Sequence, residues 1–387
     1  MPEPPATVLD ETAYTKAAEG AEQLSIALAQ HSLLVGCAYF SRKAAAMVIP
    51  AKIASTEAIL ERGQGNEYSR RTHRKRESNS GLLGSRAKNE AKNFMRGRIS
   101  IALLIGATST FLCWYLLRHF NQHAADFQWA IRAAQHVLAA KNPYDTPLEQ
   151  YPITAALFAV PFLPLPPELA AAGFFGISSA ILALGLARHG YVRLLVFLAY
   201  PYWAAILTAQ WAPLIMASAF FPLLMPATMA KPQIGLPVAL THLTPRGIMA
   251  CVFWLLLSLL LMPRWPWLWA TQWTHYEHFV PLLVWPGPLL LLALFRYRQR
   301  DCWLLLLAAS MPQRWFFDTF ILWLIPKSPR AILLTALLSW GAGIWRWYHI
   351  PSSFAQVGRW ANWWIYVPML LVVLTASLES VERHLAD

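Results

Sequence analysis

Apolar runs recur from residue 99 to the C-terminus, and no polar stretch between them is large enough to build a soluble domain. The first, residues 99–117, holds nineteen positions without a charged side chain. About 20 such residues cross the roughly 30 Å hydrocarbon layer as a helix, and a helix satisfies its own backbone polar groups in lipid. Composition agrees: 57% of the 387 residues are hydrophobic and 13% charged, where soluble domains carry about 25% charge. The chain is therefore expected to be an all-α polytopic membrane protein, and soluble-enzyme classes are excluded.

The charges divide the chain in two. Residues 1–98 hold 15 of the 32 Lys and Arg and 10 of the 20 Asp and Glu. They read as a polar, basic, cytoplasmic N-terminal extension, ahead of a membrane domain over 99–387. The excess of positive charge follows from the retention of Lys and Arg in cytoplasmic loops, so no nucleic-acid partner is expected. Residues 24–49 are apolar but interrupted by Arg42 and Lys43, too broken to span; an interfacial helix is the alternative, and a signal peptide is not expected. The run Arg70-Arg71-Thr72-His73-Arg74-Lys75-Arg76 and the Ser/Asn/Gly-rich stretch over 77–85 read as a solvated linker, with an anionic-lipid patch as the functional alternative. Met95-Arg96-Gly97-Arg98, directly before the first span, resembles a natural start, which leaves the place of 1–94 in the mature protein open.

Arg96 and Arg98 put the first span's N-terminus in the cytoplasm, and Arg188, His189 and Arg193 return the chain there after a span near 169–187. Residues 118–168 thus form a long first external loop. Further spans are expected near 194–208, 248–262, 280–295, 333–345 and 363–378. A re-entrant 211–230 hairpin with one crossing over 232–243, and a break at Met311-Pro312-Gln313-Arg314, bring the total to roughly nine or ten. Trp265, Trp267, Trp269 and Trp273 suggest an interfacial belt. Cys37, Cys113, Cys251 and Cys302 have no metal or disulfide spacing and read as small apolar residues.

The external loop is the most specific region. Over 126–140, Phe127, Ala130, Ile131, Ala134, Val137 and Leu138 form a helical stripe fit for the bilayer surface. Asn142-Pro143-Tyr144 makes a turn, and Tyr151-Pro152-Ile153 opens a short apolar stretch running into Leu165-Pro166. This order, with Asp126-Phe127 at its head, resembles glycosyltransferase family 87, membrane proteins of the C-type fold that include polyprenyl-phosphate-mannose-dependent mannosyltransferases. The likeness covers about 50 residues well. Beyond them Ala209-Gln210 stands for a Gly-Gln, Lys231-Pro232 for a Lys-Pro at a span break, and Met311-Pro312-Gln313-Arg314-Trp315 for a Ser-Pro-x-x-Trp turn. Ile153, Ala209 and Asp318 depart from the family pattern, the last standing where a His is common.

The resemblance implies transfer of a hexose, mannose among the candidates, from a polyprenyl-phosphate donor to a glycolipid or glycan acceptor on the outer face of the cell membrane. Asp126 is then the general base. Lys231 and Arg314 are candidates for the donor phosphate, and Tyr144, Tyr151 and Gln210 for further substrate contacts. No metal or other cofactor is expected, since the chain has no D-x-D pair, P-loop or Gly-rich phosphate cradle. Each residue also has a structural reading. Asp126 can cap a helix, Lys231 can snorkel, Arg314 can pair with Asp318 at i,i+4 spacing, and the tyrosines can simply pack. His123, His136, His275 and His278 read as interfacial polar groups. A transporter or lipid flippase is the rival class, because broken spans with buried charges suit a translocation path as well. A noncatalytic membrane subunit is a third, and it predicts that Asp126, Lys231 and Arg314 do not converge.

Overall fold

Residues 73–145, 151–272 and 277–375 are described by the computed structural model. The apolar stretch 24–49, the start of the basic run at 70–72, Cys37, Trp273 and His275 lie outside them. The chain divides into two units, Met1–Lys88 and Asn89–Asp387. Of the first, the described part is helical backbone from His73 onward. Residues 77–85, expected as a linker, are therefore helical: they sit among Arg, Lys, Glu, Ala and Leu, good helix formers that offset two glycines at about 1 kcal/mol each.

The second unit is all-helical among the described residues, with one isolated antiparallel bridge, Phe279 to Gln313. Among the described residues, three stretches are long and apolar enough to cross a membrane: Met95–His119 within helix α1 (His73–His119), Pro167–Arg188 and Phe354–Thr375. Their surfaces are inverted relative to a soluble protein. On Pro245–Leu261, a shorter apolar helix, Met249, Phe253, Leu256 and Leu260 are all exposed, as are Leu103, Leu104 and Phe111 on α1. Contiguous apolar faces of this kind are unstable in water, and lipid covers them without cost. The chain is thus a membrane protein.

Between the long helices the chain runs in short pieces, and proline sets their ends. Helix α2 (Gln128–Leu138), α3 (Thr154–Ala159), α4 (Pro167–Arg188), α5 (Tyr200–Ile206), α6 (Ala212–Ala217) and α7 (Pro232–Thr241) alternate with 3-10 turns such as Pro222–Met229 and Phe316–Leu324. Proline stands in the first turn of α4, α5, α6 and α7, where its missing N–H is not needed, and it disrupts the hydrogen-bond ladder further in. The helix Arg300–Ser310 stops before Met311 and 3-10 winding resumes at Phe316, so the chain is non-helical across Met311-Pro312-Gln313-Arg314.

Helices α1 and α4 meet through small residues. A Cβ on Gly176 would fall 1.7 Å from Thr110 Oγ1, so only glycine permits this approach. Small residues do this in membranes because tight backbone packing replaces the missing hydrophobic drive.

Two further expectations change. The stripe on α2 does not lie on a bilayer surface: Phe127, Ala130, Ile131 and Ala134 are buried, with α2 packed against α3, while Leu138 is left exposed. The apolar face is real, but its partner is protein. Trp265 likewise leaves the belt, buried with its indole N–H donating to Ser258 Oγ at 3.1 Å, whereas Trp267 is 78% exposed.

Candidate functional site

Three remote segments of the second unit converge on one buried cation. Lys231 follows the 3-10 turn Pro222–Met229 and its C-cap Ala230, and it serves as N-cap of α7, with Pro232 fixing the first helical φ. The loop behind it is tight. A Cβ on Gly235 would sit 1.9 Å from the Thr228 carbonyl oxygen, so the chain turns back on itself only because residue 235 has no side chain.

Lys231 is 1% exposed, and its ammonium meets three oxygens. It donates to Gln210 Oε1 at 2.7 Å and to Asp126 Oδ2 at 3.2 Å, and Asp318 Oδ1 lies 3.2 Å away as an ion-pair partner. Phe317 and Tyr151 place their rings 4.8 Å and 5.4 Å from the same nitrogen, adding cation–π attraction where water is excluded. A lone buried charge would cost several kcal/mol, which is why the ammonium is found with carboxylates around it.

Each partner is held in turn. Asp126 lies in the 3-10 turn Ala125–Phe127, its backbone N–H donating to the Thr208 carbonyl at 3.1 Å and its side chain 22% exposed. Phe127, at the N-cap of α2, is buried and stacked 4.1 Å from Phe174. No side chain caps α2, so the Asp126 carboxylate is turned to Lys231 and not to the helix end. Gln210 follows α5 through Ala209, which adopts φ +50°, the left-handed conformation that usually ends a helix on glycine. This is the position where the family resemblance expects Gly. Gln210 Nε2 donates to Thr208 Oγ1 at 3.1 Å, which aims its carbonyl oxygen at Lys231. Ala124, two residues before Asp126, is also left-handed at φ +55°.

Asp318 is fully buried in the turn Phe316–Leu324. Its Oδ2 accepts from the Arg314 backbone N–H at 3.0 Å. The Arg314–Asp318 contact expected at one helical turn thus runs through main chain, because 3-10 winding begins only at Phe316 and Trp315 is extended. The Arg314 guanidinium stands 5.8 Å from the Phe354 ring. Tyr144 is one step out, its hydroxyl donating to the Tyr151 carbonyl at 3.1 Å, while the Tyr151 ring stacks on Trp129 at 4.6 Å.

The structure therefore brings Asp126, Lys231, Gln210 and Tyr151 together, with Tyr144 and Arg314 attached through backbone contacts. Sequence reasoning did not place Asp318 among the site residues. The one available signal was that an acid stands where the family pattern has His, beside a proline-broken turn.

Chemically the arrangement is asymmetric. One carboxylate is sealed, the other opens to solvent, and a single ammonium lies between them. A partly exposed carboxylate held beside a cation can accept a proton or a hydrogen bond from an incoming hydroxyl. Compared with known proteins, the chain matches no family model, no curated protein and no solved structure.

Proposed function

We propose that the chain is an integral membrane glycosyltransferase of the C-type fold, with roughly nine or ten crossings counting its short broken spans. It would act at the outer face of the cell membrane with its N-terminus in the cytoplasm. It moves a hexose, mannose among the candidates, from a polyprenyl phosphate to a glycolipid or glycan acceptor. The observation that carries this reading is the partly exposed Asp126 carboxylate, fixed 3.2 Å from buried Lys231 just after the first span.

In the reaction the acceptor oxygen attacks the anomeric carbon. The bond from that carbon to the phosphate oxygen breaks, and polyprenyl phosphate leaves with the electron pair. Asp126 takes the acceptor's proton, a contribution of about 10²–10⁴ in rate. Attack opposite the leaving phosphate inverts the anomeric centre. The leaving phosphate needs positive charge or donors nearby. Arg314 is the candidate for that role, since Lys231 already meets three protein oxygens.

The test is sugar transfer by the full chain in lipid, with labelled polyprenyl-phosphate sugars as donors and membrane glycolipid as acceptor, wild type against Asp126→Asn. Transfer by wild type that is lost in the variant supports the reading. Equal transfer by both sinks Asp126 as base. A second reading, a transporter or lipid flippase, draws on the buried Lys231–Asp318 pair at a helix break, the kind of intramembrane charge that lines translocation paths. Translocation of a labelled lipid or solute without transfer from any donor would favour it.

A further inference from the structure

We propose that Asp318 is the permanent counter-ion of Lys231 and, through it, a positioning residue for Asp126; the second half of this proposal rests on Asp126 acting as base. The two carboxylates lie at equal distance from the ammonium, 3.2 Å each, but they are not equivalent. Asp318 is fully buried, and the Arg314 N–H fixes its other oxygen at 3.0 Å, so its orientation is set by main chain. Asp126 retains a solvent-exposed edge of 22%.

Burial decides which pairing is exchangeable. An ammonium that is 1% exposed needs a partner that never leaves, because a stripped buried charge costs several kcal/mol. Asp318 has no route to water and supplies that partner. Asp126 can trade part of its contact with Lys231 for the acceptor hydroxyl while the cation stays neutralised from behind. Gln210, a neutral acceptor at 2.7 Å, fixes a third direction of the ammonium without adding charge. If the Asp318 charge is removed, Lys231 is less neutralised from behind and binds Asp126 more strongly. The substrate contacts stay, and the base is weakened.

The experiment uses the full chain in lipid nanodiscs, with Asp318→Asn, Lys231→Met and the double variant. Thermal unfolding of the four proteins reports the pair without reference to activity. Each single substitution should lower the melting temperature, and the double variant should recover most of the loss, since it leaves no unpaired charge between the two sites. Steady-state transfer, normalised to folded protein, should show kcat of Asp318→Asn reduced about 10- to 100-fold with KM within about twofold of wild type, no more than the lower end of the roughly 10²–10⁴ that general-base catalysis contributes, because the base is weakened and not removed.

Additive melting losses overturn the pairing. If Asp318→Asn does not fold, recovery of a folded protein in the double variant supports the pairing and failure to recover overturns it. Coupled melting with an unchanged kcat, or with the loss appearing in KM, overturns the positioning role. Coupled melting with no transfer by wild type from any donor supports the counter-ion and overturns the glycosyltransferase reading, together with the positioning role that rests on it.

Discussion

Two Lys–Asp pairs in this chain use the same functional groups in opposite settings. Lys327 pairs with Asp301, and the lysine side chain is 60% exposed. Lys231 pairs with Asp318 and Asp126, and its side chain is 2% exposed. The first pair adds little because water and salt compete with it, and such surface pairs contribute about 0–1 kcal/mol. The second carries a desolvation cost that mutual neutralisation offsets, so removing its cation leaves buried negative charge uncompensated. What separates them is what surrounds each nitrogen, and chemical identity predicts neither outcome.

The sharpest way to break this contrast is at the exposed edge of the buried site. Asp126→Asn should reduce sugar transfer by about 10²-fold or more, read in a donor-panel assay at matched protein levels. Next, Lys231→Met leaves two carboxylates around a site with no cation and should destabilise the protein by about 3–5 kcal/mol, measured by unfolding in lipid. If Lys231→Met cost no more than a surface change, the distinction between the pairs would collapse. A smaller effect tests the backbone beneath the site. Ala209→Gly relieves a left-handed residue whose strain is about 1–2 kcal/mol, offset by about 0.5–1 kcal/mol of added chain entropy in the unfolded state. It should leave stability unchanged or raise it by up to about 1.5 kcal/mol, with transfer preserved. The least effect belongs to Lys327→Met, under about 1 kcal/mol and shrinking further in high salt, since a screened surface pair has little to lose.

How much of this was legible in the sequence follows from the range of each interaction. Uncharged runs announced the membrane class, because the need to satisfy backbone groups in lipid is local to one segment. The helix starts at Pro167 and Pro245 lie two and three residues before the spans expected near 169 and 248, because proline is accommodated in a helix's first turn and the apolar run alone does not mark that turn. The stripe on α2 was legible as a face but not as an interface, since periodicity records where apolar residues point and not whether lipid or protein meets them. Trp265 failed for the same reason: an indole suits both a membrane boundary and a buried hydrogen bond to Ser258. Asp318 was the hardest to see. Its partner Lys231 is 87 positions away, from 231 to 318, and the pairing depends on how the Pro222–Met229 and Phe316–Leu324 turns pack. Asp126, Lys231 and Gln210 could be named together only through the family resemblance, and their contact geometry comes from tertiary structure.

The hydrogen bond from the Asp126 N–H to the Thr208 carbonyl has a consequence for how this site can be interrogated. Asp126 is tethered twice, once by its side chain to a charge and once by its main chain to a neutral oxygen. Only the first tether depends on charge, so replacement by asparagine weakens it and leaves the second untouched. Stripping the charge from position 126 therefore changes what the residue can do while leaving it where it stands, so function and location can be separated by one amide.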